Sequence, residues 1–223
     1  MTWKLRSRAR LLMRGYARLL PYLPIDGWLT VDEAITLYEL ARSVPQGNSV
    51  AVEIGSWQGK SSVVLAKGLK GRRGATLCCV DPFNAAGDQS SEADYRERED
   101  ELKQLLKERF TRNLEQNGVA HIVEVLQGYS HDVVGSFDKP IDLLFIDGNH
   151  EYSEALRDVQ QWTPMVVDGG IVCIHDVGNP LVPGPQQVVD EQFHGNPHWG
   201  EQRQVDSLFI ARKLPNAPGS CRP

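Results

Sequence analysis

No apolar run in this chain approaches the ~20 residues needed to cross a bilayer, so a spanning helix is not expected. The basic opening residues lack an apolar stretch ending in a small-residue cleavage site, which excludes a recognisable signal peptide. Cysteine is scarce: only Cys78, Cys79, Cys173 and Cys221 occur, with no metal-type spacing. Cys78 and Cys79 are adjacent in a strand-like run and should point to opposite faces, so they make a poor disulfide. Buried reduced thiols in a cytoplasmic protein are expected. Internal repeats are absent. Acid is missing from the start of the chain, where Lys4, Arg6, Arg8, Arg10, Arg14 and Arg18 all precede Asp26. Without those six cations the formal charge of −5 falls to −11. The main body is therefore acidic, which argues against a nucleic-acid partner.

What remains is a chain of 223 residues, 41% hydrophobic, enough for one globular domain with a substantial core. It divides into a helical extension over 1–45, a domain over 46–214 and a Pro/Gly-rich tail over 215–223 that should fray. Residues 3–20 read as a basic helix with one apolar stripe, Leu5, Ala9, Leu12, Tyr16 and Leu19, ended by Pro21 and Pro24. Such a helix suits docking or dimerisation, or a position on an anionic membrane surface. Thr30 and Glu33 have the spacing of a capping box, opening a helix over Val31–Ser43.

From there strands and helices alternate. Strands are expected at Ser49–Ile54, Ala75–Val80, Ile122–Leu126, Ile141–Ile146 and Gly170–Ile174, with two more near Gln202–Val205 and Ser207–Arg212. Helices are expected from Ser61, over Tyr95–Asn117 and over Tyr152–Trp162, the last with Tyr152, Ala155, Leu156, Val159 and Trp162 inward. Asn84–Ser91 reads as a polar loop able to close over a ligand. Apolar strands alternating with helices imply a doubly wound, mostly parallel α/β sheet of seven strands, Rossmann-like, covered on both faces. Ligands in such sheets bind beyond the carboxyl ends of the strands, here just after Ile54, Val80, Leu126, Ile146 and Ile174.

The residues at those ends carry chemistry. After the first strand, Gly55 and Gly59 allow a tight turn and close backbone approach, and the helix that follows offers free amides to an anion. The run Gly55–Ser61 approaches a phosphate-binding P-loop but has three residues, not four, between its glycines. Ile54 stands where that motif needs glycine, and Glu53 would set a carboxylate against a polyphosphate. A dinucleotide fingerprint is also absent. Asp81 ends the second strand, where an acid can bind both ribose hydroxyls of an adenosine ligand or form a turn before Pro82. Ser130 and His131 follow the third strand beside Asp132, a potential helix cap. Asp147 and His150 follow the fourth, and His175 and Asp176 the fifth. If these last two strands are neighbours, Asp147 and Asp176 face one point, where two carboxylates need a proton or a cation between them. Mg²⁺ would serve, with His175 or waters completing its shell, unless both acids are helix caps. His121, His194 and His198 read as surface residues. Lys60 reads as a helix-start lysine, either solvated or near a ligand carboxylate.

Taken together, these segments resemble the class I S-adenosylmethionine-dependent methyltransferases. Val52–Ser62, with Glu53, Gly55 and Gly59, is similar to the first motif of the catechol O-methyltransferase group. Phe145–Tyr152, Asp168-Gly169-Gly170, His175-Asp176 and Gly27-Trp28-Leu29 resemble a bacterial branch that includes macrolide-sugar O-methyltransferases and cephalosporin-hydroxylase-like proteins. The resemblance spans about Gly27 to Lys213. It implies that Glu53, Gly55 and Ser61 hold the methionine end of S-adenosylmethionine, with Ser56 and Gly59 beside them, that Asp81 binds the ribose and that Ser130 and His131 flank the adenine. It also implies that Asp147 and Asp176 ligate a divalent cation and that His150, in the place of a catalytic lysine, is the general base. Two departures stand out. Val177 replaces an asparagine ligand, and His175 replaces an acid, a poorer partner for Mg²⁺. The expected activity is O-methylation of a small-molecule hydroxyl on a sugar or natural product. The alternatives are N-methylation or another use of the same cofactor, and a non-catalytic binding protein on the same fold.

Overall fold

The computed structural model describes residues 3–84 and 99–215, with side chains from 105 onward in the second segment. The expected closing loop over Asn84–Ser91 lies outside them beyond Asn84, as does the tail beyond residue 215. Seven strands form one sheet: β1 (Val50–Ile54), β2 (Thr76–Asp81), β3 (Val123–Gln127), β4 (Ile141–Ile146), β5 (Val166–Ile174), β6 (Trp199–Val205) and β7 (Leu208–Lys213). Their order is β3-β2-β1-β4-β5-β7-β6. The first five run parallel, and β7 is antiparallel to both β5 and β6. The winding reverses between β1 and β4, which leaves a crevice at their carboxyl ends.

Both faces of the central strands are buried. Cys79, Ala51, Leu143 and Phe145 face a core shared with α2 (Val31–Ser43), α3 (Lys60–Leu69) and α4 (Glu99–Gln116). Cys78, Val52, Ile54 and Leu144 face a second core with α6 (Tyr152–Trp162) and α7 (Gly184–Gln192). A one-turn helix, α5 (Ser130–Val133), follows β3. The adjacent cysteines thus lie on opposite faces, and Cys78, Cys79 and Cys173 are buried thiols. The expected box at Thr30 forms. Thr30 Oγ1 accepts from the Glu33 amide at 3.2 Å, and the Thr30 amide donates to Glu33 at 2.8 Å.

The amino-terminal segment departs from the expected single helix over 3–20. Helix α1 (Trp3–Met13) stops before Gly15, whose φ of +79° lies in the left-handed region, and a 3-10 turn over Ala17–Tyr22 follows. The break rotates the stripe. Leu11 is fully buried, whereas Leu5 and Leu12 are 51% and 48% exposed. Only Tyr16 and Leu19 of the expected stripe's second half pack on the core. Helix α7 was not foreseen at all. Pro185 sits in its first turn, where the missing N–H costs nothing. Among the described residues no helix is long and apolar enough to cross a membrane.

Candidate active site

Parallel register aligns the strand ends that the sequence singled out. Ile54 pairs with Val80 on one side and Ile146 on the other, and Ile146 pairs with Ile174. The residues that follow open into one cavity of about 370 Å³, lined by Gly55, Ser56, Ser61, Asp81, Ser130, Asp147, His150, His175 and Asp176. Of the expected site residues, Glu53, Gly59 and His131 do not line it.

Gly55 crosses from β1 onto the end of β4 with φ +86°, and a Cβ there would sit 2.0 Å from the Asp147 carbonyl oxygen. Only glycine fits. Trp57, two residues on, is held at φ +48°, which is costly for a bulky side chain and typical of ligand-shaped loops. Its amide donates to Asp81 Oδ2 at 2.8 Å, while the Phe83 amide donates to Asp81 Oδ1 at 2.6 Å. Asp81 therefore makes the turn and also presents a carboxylate to the cavity. Burial pushes its proton affinity up, against the pull of these amides. Glu53 points the other way. It is fully buried, accepts from Ser62 and Cys79, and burial raises its pKa. Lys60 also turns from the cavity centre, donating to the Ile25 carbonyl at 2.7 Å.

At the far end, Ser130 donates to Asp158 of α6, a buried acid that lines the cavity and that the sequence reading passed over. Burial pushes the Asp158 carboxyl up to about 6. A signal was present: Asp158 interrupts the inward stripe between Ala155 and Trp162, where a charge is unexpected. His131 instead stacks on Tyr129 with ring centroids 5.5 Å apart and faces Arg157. Asp132 lies within α5 and does not cap it.

The crevice between β4 and β5 holds the densest charge. His175 Nδ1 lies 3.1 Å from Asp147 Oδ1 and 3.1 Å from Asp176 Oδ2. His150 Nε2 lies 3.1 Å from Asp176 Oδ2 and 3.8 Å from Asp147 Oδ1. Behind them, His175 Nε2 lies 3.4 Å from Glu33 Oε2, and Ser207 donates to Glu33 Oε1 from both its amide and its hydroxyl. The two aspartates therefore converge instead of capping helices. Asp176 adopts φ +58° and accepts from Asn179 at 2.8 Å, which fixes its aim. Burial alone would raise Asp147, but the two imidazoles outweigh it and hold the carboxyl low. Asp176 is held low for the same reason. His175 is pushed down by burial yet held well above its ordinary value by Asp147, Asp176 and Glu33.

The donor set fits a divalent cation. Ligand atoms of Asp147, His175 and Asp176 lie within 4.8 Å of one another. With its proton on Nε2 facing Glu33, His175 would offer Nδ1 to the point that both carboxylates face, the carboxylate–histidine–metal arrangement. The local sequence marks Glu33 only as a helix cap; its contact with His175 comes from distant packing and leaves no sequence signal.

A methyltransferase-domain family model matches residues 52–177, more than half of the chain. The chain belongs to this methyltransferase-domain family. Its relatives include the uncharacterized protein R132 of Acanthamoeba polyphaga mimivirus, 28% identical over 145 residues. That match covers 63% of this chain, which spans 57% of the relative's length. Among solved structures, the O-methyltransferase NovP is similar at TM-score 0.67 and 18% identity, covering 83% of this chain and 81% of its own. The O-methyltransferase TomG of Streptomyces achromogenes, involved in tomaymycin synthesis and solved with S-adenosylmethionine, is similar at TM-score 0.62 and 21% identity, with coverage of 97% and 91%. CalS11, a TDP-rhamnose 3'-O-methyltransferase of calicheamicin biosynthesis, gives 0.55 and 18%, with coverage of 80% and 76%. At these identities the likeness is one of fold.

Proposed function

We propose that this protein is an enzyme that uses S-adenosylmethionine to methylate a hydroxyl of a small molecule, a sugar or a natural product. The observation that carries this reading is that one cavity is lined by the Gly55 loop and Asp81 together with His150, Asp147 and Asp176. Bound there, S-adenosylmethionine supplies an electrophilic methyl group on a positively charged sulfur. The turn around Gly55, with Ser56 and Ser61, would receive its methionine end, Asp81 the ribose hydroxyls, and Ser130 with Asp158 the adenine edge, Asp158 accepting from the exocyclic amine.

His150 would accept the proton from the acceptor hydroxyl, and Asp176, whose Oδ2 lies 3.1 Å from His150 Nε2, would stabilise the imidazolium that results. The oxygen so freed would be the nucleophile toward the methyl group that S-adenosylmethionine supplies. Holding both molecules in one crevice can supply up to ~7–11 kcal/mol of the barrier reduction in well-oriented cases. A divalent cation held by Asp147, His175 and Asp176 would polarise the acceptor hydroxyl and ease loss of its proton. The test is methyl transfer from labelled S-adenosylmethionine to a panel of sugars and natural-product alcohols, with the parent protein and His150→Ala. The variant should lose about 10²–10⁴-fold in kcat with cofactor affinity unchanged. An unchanged rate would remove His150 from this role.

A further inference from the structure

Helix α1 docks on the protein by Leu11, which is fully buried, and turns other apolar side chains outward. At about 100° per residue, Leu5, Ala9, Leu12 and Met13 fall on one side, pointing away from Leu11. Leu5, Leu12 and Met13 are 51%, 48% and 82% exposed. Arg8 borders this strip along one edge and Arg6 along the other, with Lys4 and Arg10 further round the helix. Arg10 and Arg14 reach Asp32 at the start of α2, which ties the helix to the body. Trp3, 56% exposed, ends the helix with its ring 5.8 Å from the ammonium of Lys60, a residue of the cavity wall. Trp28 and Leu181, both exposed, line that same cavity.

We propose that α1 is a docking surface for an anionic lipid bilayer, lying in the interface with its apolar strip toward the acyl chains. An apolar strip between two cationic edges matches the boundary between acyl chains and acidic headgroups, and each Lys or Arg near such a surface is worth about 1 kcal/mol. Charge also orients the protein. The basic segment is attracted and the acidic remainder of the chain is repelled. A second copy of this chain fits the strip less well, because four apolar side chains on an eleven-residue helix cannot bury the ~800 Å² per partner of a standard interface. Docking through α1 sets the helix end nearest the cavity wall at the surface, where an acceptor carried by a lipid would be within reach. The docking itself does not depend on the methyl-transfer reading.

Co-sedimentation of the full chain with vesicles tests this. Binding is expected to vesicles of phosphatidylcholine with phosphatidylglycerol, weaker by tenfold or more on phosphatidylcholine alone, and reduced by salt. The double variant Leu5→Glu with Leu12→Glu should lose binding at least tenfold while keeping its melting temperature and its affinity for S-adenosylmethionine. No binding to the anionic vesicles at low salt would overturn the proposal. So would binding that the double variant retains, or a concentration-dependent dimer, seen by light scattering, that the double variant abolishes while vesicles go unbound.

Discussion

A buried carboxylate needs a reason to be there, and Asp158 shows how such a reason can be sought. Burial raises its pKa from 3.8 to about 6. Between those values the unfolded chain has released the proton and the folded chain still holds it, so this residue's contribution to stability declines as pH rises from about 4 to 6. Asp158→Asn cannot ionise. The variant should melt above the parent at pH 7, with the gap closing by pH 4, measured by scanning fluorimetry across pH. Functional sites commonly cost stability, and the proposed contact with the adenine edge would give Asp158 such a function. The sequence showed Asp147, His150, His175 and Asp176 because each follows a strongly apolar strand. It did not show that Glu53 faces away from the cavity, because every residue of β1 is buried and alternation gives no direction in such a strand.

Elements decide where those residues point. Helix α2 carries Glu33 into contact with His175 and Ser207, 142 and 174 positions away in the chain, so its role was invisible to local reading. Glu33→Gln should lower divalent-cation affinity about 10–100-fold, read by calorimetric titration with Mn²⁺ and with Mg²⁺ in the absence of acceptor. Equal affinity in parent and variant would confine Glu33 to capping. Helix α7 acts from the other side. A Cβ on Gly184 would lie 2.2 Å from the His150 carbonyl oxygen and 2.7 Å from the Tyr152 amide. Gly184→Ala should therefore displace the His150 backbone and lower both kcat and the melting temperature, with less effect on cofactor affinity. Gly15 has the opposite lesson: one left-handed residue split an expected helix and turned half of its stripe to solvent.

At the scale of the whole molecule, strand apolarity and helix spacing were enough to reach a doubly wound sheet and the end at which its site lies. Such patterns report burial on both faces and helical crossovers between strands, which parallel sheets require. They do not report strand order, so the convergence of Asp147 and Asp176 depended on β4 and β5 being neighbours, as they are. The crevice between β1 and β4 is the proposed site of S-adenosylmethionine. The most direct test is calorimetric titration of the purified protein with this cofactor, with Mg²⁺ and with a chelator. Roughly micromolar binding, weakened at least tenfold by Asp81→Ala with the fold intact, is the expected result. Failure to bind under either condition would contradict the account and leave a binding protein on a methyltransferase fold.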